Sequence, residues 1–314
     1  MYESLKKYMS EPFHLYIFSF DNRSYEILNK MNLSNVSVIS LEELEQSFPN
    51  LLDVKPKRSK VEYCWTSTPF IIKYCLEKYN LDHCTYLDAD IYFFNDPSIL
   101  IEELGNKDVL ITEHRYTPIY DQSKTSGIYC VQFMTFKNTE NGKKVLNWWA
   151  NACYDWCYAR VENNKFGDQK YLDDWPQRFE GIHVLKHLGG GVAPWNVQQY
   201  TIFLKDNKLK ALQKNTGNEF EIIFYHFHGL KFYNNDTVDL CGGYRIDKEV
   251  VENIYRPYLK HIKVINMALK KIDPFYDYNG KLEPKLTVKG FLGQIKRKLQ
   301  GVYNTYHLEY FWRD

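Results

Sequence analysis

Residues 85–94 constrain the fold of this chain more than any other segment. They read Thr-Tyr-Leu-Asp-Ala-Asp-Ile-Tyr-Phe-Phe, so two carboxylates, Asp88 and Asp90, stand between two runs of strand-forming residues. Because alternate residues of a strand face the same side, we expect both side chains to project together at the end of a buried strand. Adjacent carboxylates repel each other, and Mg²⁺ or Mn²⁺ relieves the repulsion. Such a metal keeps coordination positions open, and substrate phosphates commonly fill them.

Strands alternate with helices in the first half of the sequence. The apolar run 13–20 predicts a strand that ends where a helix begins at Asp21, and residues 36–39 predict a second strand. The pair Thr68-Pro69 is typical of a helix start, with an N-cap followed by proline. This order predicts an α/β fold with a mainly parallel, doubly wound, Rossmann-like mixed sheet. Ligands of such sheets bind at the carboxyl ends of strands, where Asp21, Asp88 and Asp90 fall.

The later elements are less regular. We predict strands at 108–112, 128–136 and 220–227, a helix at 140–159, and a helix at 249–271 that is interrupted near Pro257. The chain contains neither an internal repeat nor a low-complexity linker. We therefore expect a catalytic domain at residues 1–247 and a C-terminal helical region at residues 248–314.

The charge distribution separates the C-terminus from the body. The net charge is +1, which excludes a global basic field for nucleic acid. Residues 281–314 carry seven Lys/Arg against three Asp/Glu, a balance of +4, and the remainder carries 1 − 4 = −3. From residue 288 the apolar side chains recur with a helical period, at Phe291, Leu292, Ile295, Leu299, Val302, Tyr303 and Tyr306. A basic amphipathic helix of this kind fits an anionic membrane surface, and it fits equally a helix packed on the body with its lysines in solvent.

The cysteine count and the hydropathy pattern bear on location. Seven cysteines without a regular framework predict reduced thiols in a cytoplasmic setting. We see no N-terminal signal peptide, and no apolar run reaches the length of about 18 residues that a membrane-spanning helix needs. The expected location is the cytoplasm, with peripheral attachment to the inner face of the plasma membrane through the tail as a further possibility.

Two clusters beyond residue 160 carry groups suited to a sugar. Gly167 permits a close approach, and Asp168 and Gln169 offer a carboxylate and an amide, although Asp168 is equally suited to capping a helix. Trp195 followed by Asn196 pairs an apolar face with an amide, which matches a sugar's C–H face and hydroxyl rim. The alternative is a plain glycine turn with a buried tryptophan. Asp173 and Asp174 are candidate acceptor contacts or solvated surface groups.

The segment 225–231 reads Tyr-His-Phe-His-Gly-Leu-Lys. On a strand His226 and His228 face the same side, and a neutral imidazole can complete a metal site begun by carboxylates. Gly229 lets backbone N–H groups approach a phosphate, and Lys231 adds a positive charge.

These segments, in this order, resemble those of A-type-fold glycosyltransferases. The Asp-x-Asp at 88–90, the Gly-Asp-Gln at 167–169 and the His-Phe-His-Gly-Leu-Lys at 226–231 are most similar to bacterial nucleotide-diphospho-sugar transferases related to the glycogenin and galactosyltransferase group. Residues 62–66 and 193–196 belong to the same ordered set, and the resemblance covers residues 13–231, over two-thirds of the chain.

The resemblance implies a role for each matching residue. Asp88, Asp90 and His226 would hold Mn²⁺ or Mg²⁺ on the donor diphosphate, and Gly229 and Lys231 would contact its phosphates. Phe18 and Asp21 would border the nucleobase, and Arg58 would make a second nucleotide contact. Asp168 and Gln169 would lie against the donor sugar, which the resemblance indicates to be UDP-linked.

The implied reaction is metal-dependent sugar transfer to a saccharide or lipid-linked acceptor, in bacterial surface polysaccharide synthesis. The resemblance favours retention of the anomeric configuration over inversion. Two other classes stay open. One is a pyrophosphohydrolase or nucleotidyltransferase, which would want more clustered glutamates or an N-terminal phosphate loop. The other is a non-catalytic carbohydrate-binding protein, which would not need Asp88, Asp90 and His226 together.

Overall fold

The computed structural model describes residues 1–284 and 288–313, with the backbone alone for residues 288–291. The helices are α1 (Tyr2–Tyr8), α2 (Asn22–Met31), α3 (Leu41–Ser47), α4 (Leu51–Val54), α5 (Lys60–Lys78), α6 (Ser98–Glu102), α7 (Ser123–Ser126), α8 (Glu140–Asp155), α9 (Trp175–Arg178), α10 (Lys248–Val250), α11 (Arg256–Ile272), α12 (Val288–Leu299) and α13 (Glu309–Trp312). The strands are β1 (Leu15–Ser19), β2 (Val36–Ser40), β3 (His83–Leu87), β4 (Ile91–Phe93), β5 (Val109–Glu113), β6 (Tyr129–Lys137), β7 (Ile182–Val184), β8 (Tyr200–Lys205), β9 (Lys208–Gln213), β10 (Glu219–Glu221), β11 (Phe224–His226), β12 (Lys231–Phe232), β13 (Thr237–Asp239) and β14 (Thr305–His307).

The central sheet has the strand order β3-β6-β5-β7. Its middle strand β6 is buried along almost its whole length and runs antiparallel to both β3 and β5, whereas β5 and β7 are parallel. β1 and β2 form a separate parallel pair. The predicted mixed α/β class is therefore confirmed, while antiparallel pairings outnumber parallel ones among the described strands.

Apolar side chains cover both faces of the central sheet. On one face α5 and α8 supply Ile72 and Trp149, which pack against Val131 and Phe136. On the other face Phe133 packs with a cluster that includes Phe224 of β11. Side chains of β6 thus serve two cores, which explains why this strand is mainly apolar apart from Gln132 and Thr135.

The prediction that a helix starts at Thr68 was wrong. α5 begins eight residues earlier, behind Ser59, because Ser59 and Glu62 form a reciprocal capping box that satisfies the first free amides. Pro69 therefore lies inside the helix, where its missing N–H removes one backbone hydrogen bond. In the turn before it, the hydroxyl of Thr68 donates to the carbonyl of Cys64 at 3.3 Å.

The segment around Asp88 and Asp90 is not one strand. β3 ends at Leu87, the two carboxylates occupy the turn that follows, and β4 begins at Ile91. β4 pairs antiparallel with β11, so that Ile91 lies opposite His226. The tight turn and this pairing bring the two carboxylates next to the histidine. The prediction that both carboxylates alternate along a single strand was therefore wrong.

Several predicted boundaries shift as well. The helix expected at 140–159 ends at Asp155, and the strand expected at 220–227 is divided into β10 and β11. Pro257 stands in the first turn of α11, after a π-helical segment at Val251–Tyr255. Across the described residues, no helix is both long and apolar enough to cross a membrane.

The C-terminal residues pack onto the body. β14 pairs antiparallel with β13, and Leu308 and Phe311 are buried among residues such as Ile254 and Leu259. The predicted amphipathic helix is present as α12, but it ends at Leu299 and the chain continues into β14.

Candidate functional site

Three metal-ligand side chains converge beyond the end of β3. The carboxylates of Asp88 and Asp90 and the imidazole of His226 each offer a ligand atom, and these atoms lie within 4.8 Å of one another. His226 Nε2 is 3.1 Å from Asp90 Oδ1 and 3.9 Å from Asp88 Oδ2. The structure thus brings together the three residues predicted to bind metal.

Two neighbours that the sequence analysis missed hold this cluster in place. The buried side chain of Gln132, on β6, places its Oε1 2.7 Å from His226 Nδ1. When the Nδ1–H of His226 donates to Gln132, the Nε2 lone pair is directed at the carboxylates, which is the orientation that a metal ligand needs. The hydroxyl of Tyr86 donates to Asp88 Oδ1 at 2.9 Å. Gln132 stands in a mainly apolar strand, and a glutamine at that position is the one signal that sequence reasoning could have used.

The charges of the cluster are strongly coupled. Burial raises the pKa of Asp88, and the adjacent Asp90 adds to the shift. Burial also acts upward on the pKa of Asp90, but the hydrogen bond and charge of His226 outweigh it and lower that pKa. For His226, burial acts downward, yet Asp90 and Asp88 leave the pKa well above its ordinary value. Without a cation at the cluster, a protonated His226 is therefore the counter-ion of the two carboxylates.

The cluster opens into a cavity of about 480 Å³. The same cavity is lined by Asp168, Gln169, Trp195 and His228. These four residues come from three segments that are distant in sequence, and the structure brings them to one site as predicted. A cavity of this size suits a small ligand such as a sugar with its phosphate.

Asp168 is the buried carboxyl group of this cavity. Burial, and to a smaller extent the charge of Asp88, raise the pKa of Asp168 to about 7. The neighbouring Gly167 has φ +53°, and a Cβ there would stand 3.3 Å from the Trp65 ring. The Gln169 amide donates to the carbonyl of Ser126 at 2.6 Å, which fixes its position on the cavity wall.

An aromatic wall faces the metal-ligand cluster. The Trp195 ring lies 5.3 Å from the ring of His226 and 5.5 Å from that of His228. The Trp195 indole N–H donates to the carbonyl of His114, whose ring stacks on Tyr116 at 4.6 Å. His114 and Tyr116, which the sequence analysis did not single out, complete this side of the cavity.

Three predicted sugar contacts have partners in the protein and do not line the cavity. Asn196 is buried, and its amide donates to the carbonyls of His114 and Gly191 while accepting from the N–H of Ala193. Asp173 accepts from the N–H of Ile128 and from the Lys170 ammonium, and Asp174 pairs with Arg178. Asp174 is half exposed and fits the alternative of a solvated surface group, whereas Asp173 is partly buried in its ion pair and Asn196 holds the buried turn around Trp195.

The residues predicted to bind the nucleotide are more dispersed. Phe18 lies in a neighbouring apolar cleft between β1 and β3, of about 620 Å³, whose lining also includes Asp88 and Asp90. Asp21 caps α2 by accepting from the N–H and hydroxyl of Ser24. The Arg58 guanidinium stacks over Tyr158 at 3.8 Å and donates to the carbonyl of Tyr154, and it lines neither space.

Gly229 and Lys231 follow the second histidine as the sequence indicated. Gly229 has φ +80°, the left-handed region that favours glycine, so the chain turns sharply behind His228. Lys231 begins β12 and is exposed. Burial lowers the pKa of His228, and the charges of His226 and Lys231 add to this shift while the charge of Asp90 opposes it.

The donor set fits a divalent cation. Two carboxylates and one imidazole suit Mn²⁺ or Mg²⁺, and three ligands leave positions open toward the cavity. A cation there would take over the charge balance that His226 otherwise provides. The structure therefore describes an α/β protein with a metal-type Asp-Asp-His group at the edge of its central sheet.

Comparisons with known proteins identify relatives of this chain. It is 31% identical over 261 residues to the uncharacterized protein YfnD of Bacillus subtilis (strain 168), a match that spans 81% of this chain and 80% of YfnD. The chain therefore belongs to the family that includes YfnD. It is also 27% identical over 289 residues to the uncharacterized protein YfnF of the same organism, across 89% of this chain and 91% of YfnF.

No family model matches the sequence. Among solved structures, the apo crystal structure of mouse xyloside xylosyltransferase 1 aligns with a TM-score of 0.43 at 13% identity. The alignment covers 73% of this chain and 90% of the mouse protein.

Proposed function

We propose that this protein is a metal-dependent glycosyltransferase. Its donor is a nucleotide diphosphate sugar, a UDP-sugar in the first instance, and its acceptor is a saccharide or a lipid-linked saccharide of bacterial surface polysaccharide synthesis. One observation carries the proposal: the Asp88, Asp90 and His226 cluster opens into the cavity that also contains Asp168, Gln169 and Trp195. The resemblance of these segments to nucleotide-sugar transferases supports the same reaction.

The proposed chemistry explains why acidic and aromatic groups share one cavity. Glycosyl transfer breaks the bond between the anomeric carbon and the diphosphate, and negative charge develops on the leaving phosphate. A divalent cation held by Asp88, Asp90 and His226 Nε2 would stabilise that charge, so a strong acid is not required. The exposed Lys231 would add positive charge on the same side, near His228.

The opposite side of the cavity would hold the sugar. Trp195 and Gln169 both line the cavity, and the Gln169 amide is anchored at Ser126. Gln169 cannot act as a base, and Asp168 is the buried carboxyl group beside it. We propose retention of the anomeric configuration, and an NMR determination of the product anomer tests it, because an inverted product would contradict it.

The remaining predicted assignments form part of the proposal. Phe18 would border the nucleobase, since its cleft shares Asp88 and Asp90 with the cavity. We propose residues 1–247 as the catalytic domain and 248–314 as a C-terminal region. Seven free thiols support a cytoplasmic location.

A donor-hydrolysis assay separates the proposal from its two rivals. With UDP-sugar and Mn²⁺, a slow transferase side reaction yields free sugar and UDP. A pyrophosphohydrolase yields sugar phosphate and UMP with water alone. A nucleotidyltransferase yields sugar phosphate and UTP only when pyrophosphate is added, and a carbohydrate-binding protein yields no product in either assay. Full turnover in EDTA would contradict the metal role.

The donor itself can be found by a thermal-shift screen of nucleotide sugars in the presence of Mn²⁺. A ligand at one hundred times its Kd stabilises the folded state by about 2.7 kcal/mol. Stabilisation by one UDP-sugar, and not by UMP alone, would support the proposed donor class.

A further inference from the structure

Within α12, the part whose side chains are described, residues 292–299, is exposed on nearly every side. From residue 292 to residue 299, each side chain is exposed except Arg297. Its apolar residues Leu292, Ile295 and Leu299 are 58%, 39% and 84% exposed. Their spacing of three and four residues places them on one face of the helix, and Lys296 and Lys298 flank that face. The body of the protein therefore does not cover the apolar stripe.

Arg297 fixes the helix to the body without burying that stripe. Its guanidinium makes a two-pronged ion pair with Asp239, at 2.8 and 3.1 Å, and donates to the carbonyl of Gly242. Its Nε donates to the carbonyl of Val302, which follows the helix. A planar guanidinium held by several acceptors determines an orientation as well as a position. The helix is attached by its polar side, with Leu292, Ile295 and Leu299 left outside.

The surrounding region has the opposite charge from the rest of the chain. Residues 256–314 contain twelve Lys/Arg and five Asp/Glu, a balance of +7, so the rest carries 1 − 7 = −6. The same region holds a second group of exposed apolar side chains, with Val264 and Met267 one turn apart on α11 and Phe275 97% exposed just beyond it. Exposed aliphatic and aromatic groups mixed with lysines are typical of a surface that meets lipid.

We propose that the C-terminal region, through the exposed face of α12, docks this protein on an anionic lipid surface. Lipid satisfies both features at once, because its headgroups attract the lysines and its acyl boundary takes up the leucines. A nucleic acid would neutralise the lysines and leave the apolar stripe in water. A second copy of the chain would place one +7 region against another.

Docking would set the height of the cavity above the lipid. Arg297 binds the segment Asp239–Gly242, and the Asn304 amide donates to the carbonyl of Tyr244, a residue that lines the cavity. Delivery of a lipid-linked acceptor to the cavity would be the consequence, and this clause alone rests on the proposed function. The docking itself does not depend on it.

Vesicle co-sedimentation of the full chain tests the proposal. Phosphatidylcholine vesicles with and without phosphatidylglycerol are compared, at low and high salt. One variant combines Leu292→Ser, Ile295→Ser and Leu299→Ser, and a second combines Lys296→Glu and Lys298→Glu. The control combines Leu204→Ser with Val161→Ser, two exposed apolar residues of the body. Thermal melting establishes that each variant is folded.

We expect the wild type and the control to bind anionic vesicles, with binding lost at high salt. Each α12 variant should weaken partitioning by about tenfold or more, since several methylene groups or charges are removed from the lipid interface. Equal binding by the wild type and both α12 variants would overturn the proposal, as would equal binding to neutral vesicles. An α12-dependent dimer without lipid binding would overturn it in favour of a second copy.

Discussion

The cavity and helix α12 differ in what they bury and what they expose: the cavity buries charged side chains, whereas α12 exposes apolar ones. In the cavity, Asp168 and His226 are buried and Asp88 is partly buried, and burial together with the neighbouring charges shifts their pKa values. On α12 the lysines are exposed and Leu299 is 84% exposed. Burying charge is costly unless a partner or ligand compensates, and exposing leucine is costly unless a surface covers it. Each region is thus incomplete by itself, and the two should respond to different substitutions and different ligands.

The largest effect is expected at the two carboxylates of the cluster. Asp88→Ala and Asp90→Ala should each reduce turnover by about 10³-fold or more, because a metal ligand worth several kcal/mol of charge stabilisation is lost. Steady-state turnover with saturating Mn²⁺ measures it. Asp82→Ala, an exposed carboxylate just before β3, is the matched control and should retain turnover. Full activity in either cluster variant would show that turnover does not need a metal at this cluster.

The second effect distinguishes the two histidines. His226→Ala should weaken Mn²⁺ affinity about 10- to 100-fold. His228→Ala should weaken it less, because Nε2 of His226 is the nitrogen that lies 3.1 Å from Asp90. Titration calorimetry of Mn²⁺ binding measures both. The opposite order would show that the wrong histidine has been assigned as the ligand.

The third effect concerns Gln132, which orients His226. Gln132→Leu should weaken Mn²⁺ affinity about tenfold, since the acceptor for the imidazole N–H is lost. Gln132→Glu keeps an acceptor at the same place and should restore most of the affinity. A merely structural role predicts that both variants lose stability alike and that the imidazole tautomer, read by ¹⁵N NMR, stays the same.

The fourth effect is a pH dependence of stability in EDTA. The pKa of Asp168 is about 7 in the folded state, above its unfolded value. The folded state therefore keeps a proton that the unfolded state has released, and this contribution to stability is lost as the pH rises toward 7. Each pKa unit between the two states corresponds to roughly 1.4 kcal/mol of unfolding free energy.

Asp168→Asn should therefore flatten the fall in melting temperature between about pH 4 and about pH 7. Asp82→Asn, which changes an exposed carboxylate, should keep the wild-type slope. An unchanged slope in Asp168→Asn would mean that Asp168 ionises like a surface carboxylate, and the contrast between cavity and surface would fail at this residue.

The smallest effect is expected where the surface alone is changed. The triple change of Leu292, Ile295 and Leu299 to serine should alter Mn²⁺ affinity and donor hydrolysis by less than about twofold, because exposed substitutions remote from special features cost little. The same assays as above measure it. A large loss of donor hydrolysis would show that α12 acts on the cavity itself, and that the two regions are not separable.

Much of the candidate site could be predicted because its candidate functional residues lie in short, recognisable sequence segments. Asp88 and Asp90 were predicted as metal ligands from residue type and local spacing, His226 was predicted from the resemblance, and the structure brings the three together. The glutamine in the apolar strand β6 marks Gln132 as unusual, but neither its segment nor that of the His114–Tyr116 wall indicates what these residues touch. Asn196, Asp173 and Asp174 were predicted to contact a sugar, but they pair with other groups of the protein. The sequence does not reveal such partners for a polar residue beside a motif.

The local elements were predicted where hydrophobic period and capping agree. β2 and β5 lie within a residue of their predicted bounds, and Asp21 caps α2 as expected. The start of α5 was missed because two capping signals compete, and the Ser59–Glu62 box satisfies more free amides than Thr68 does.

The sequence by itself determined the α/β class, the pair of carboxylate donors at Asp88 and Asp90 and the basic, amphipathic character of the C-terminus, because these follow from residue type and short-range period. Only the tertiary structure decided that antiparallel pairing of β4 with β11 brings the histidine to the carboxylates, which of the polar neighbours face the cavity, and that α12 leaves its leucines uncovered. Those outcomes depend on contacts between residues that are distant in sequence, such as Ile91 with His226 and Arg297 with Asp239, and local preference does not encode such contacts.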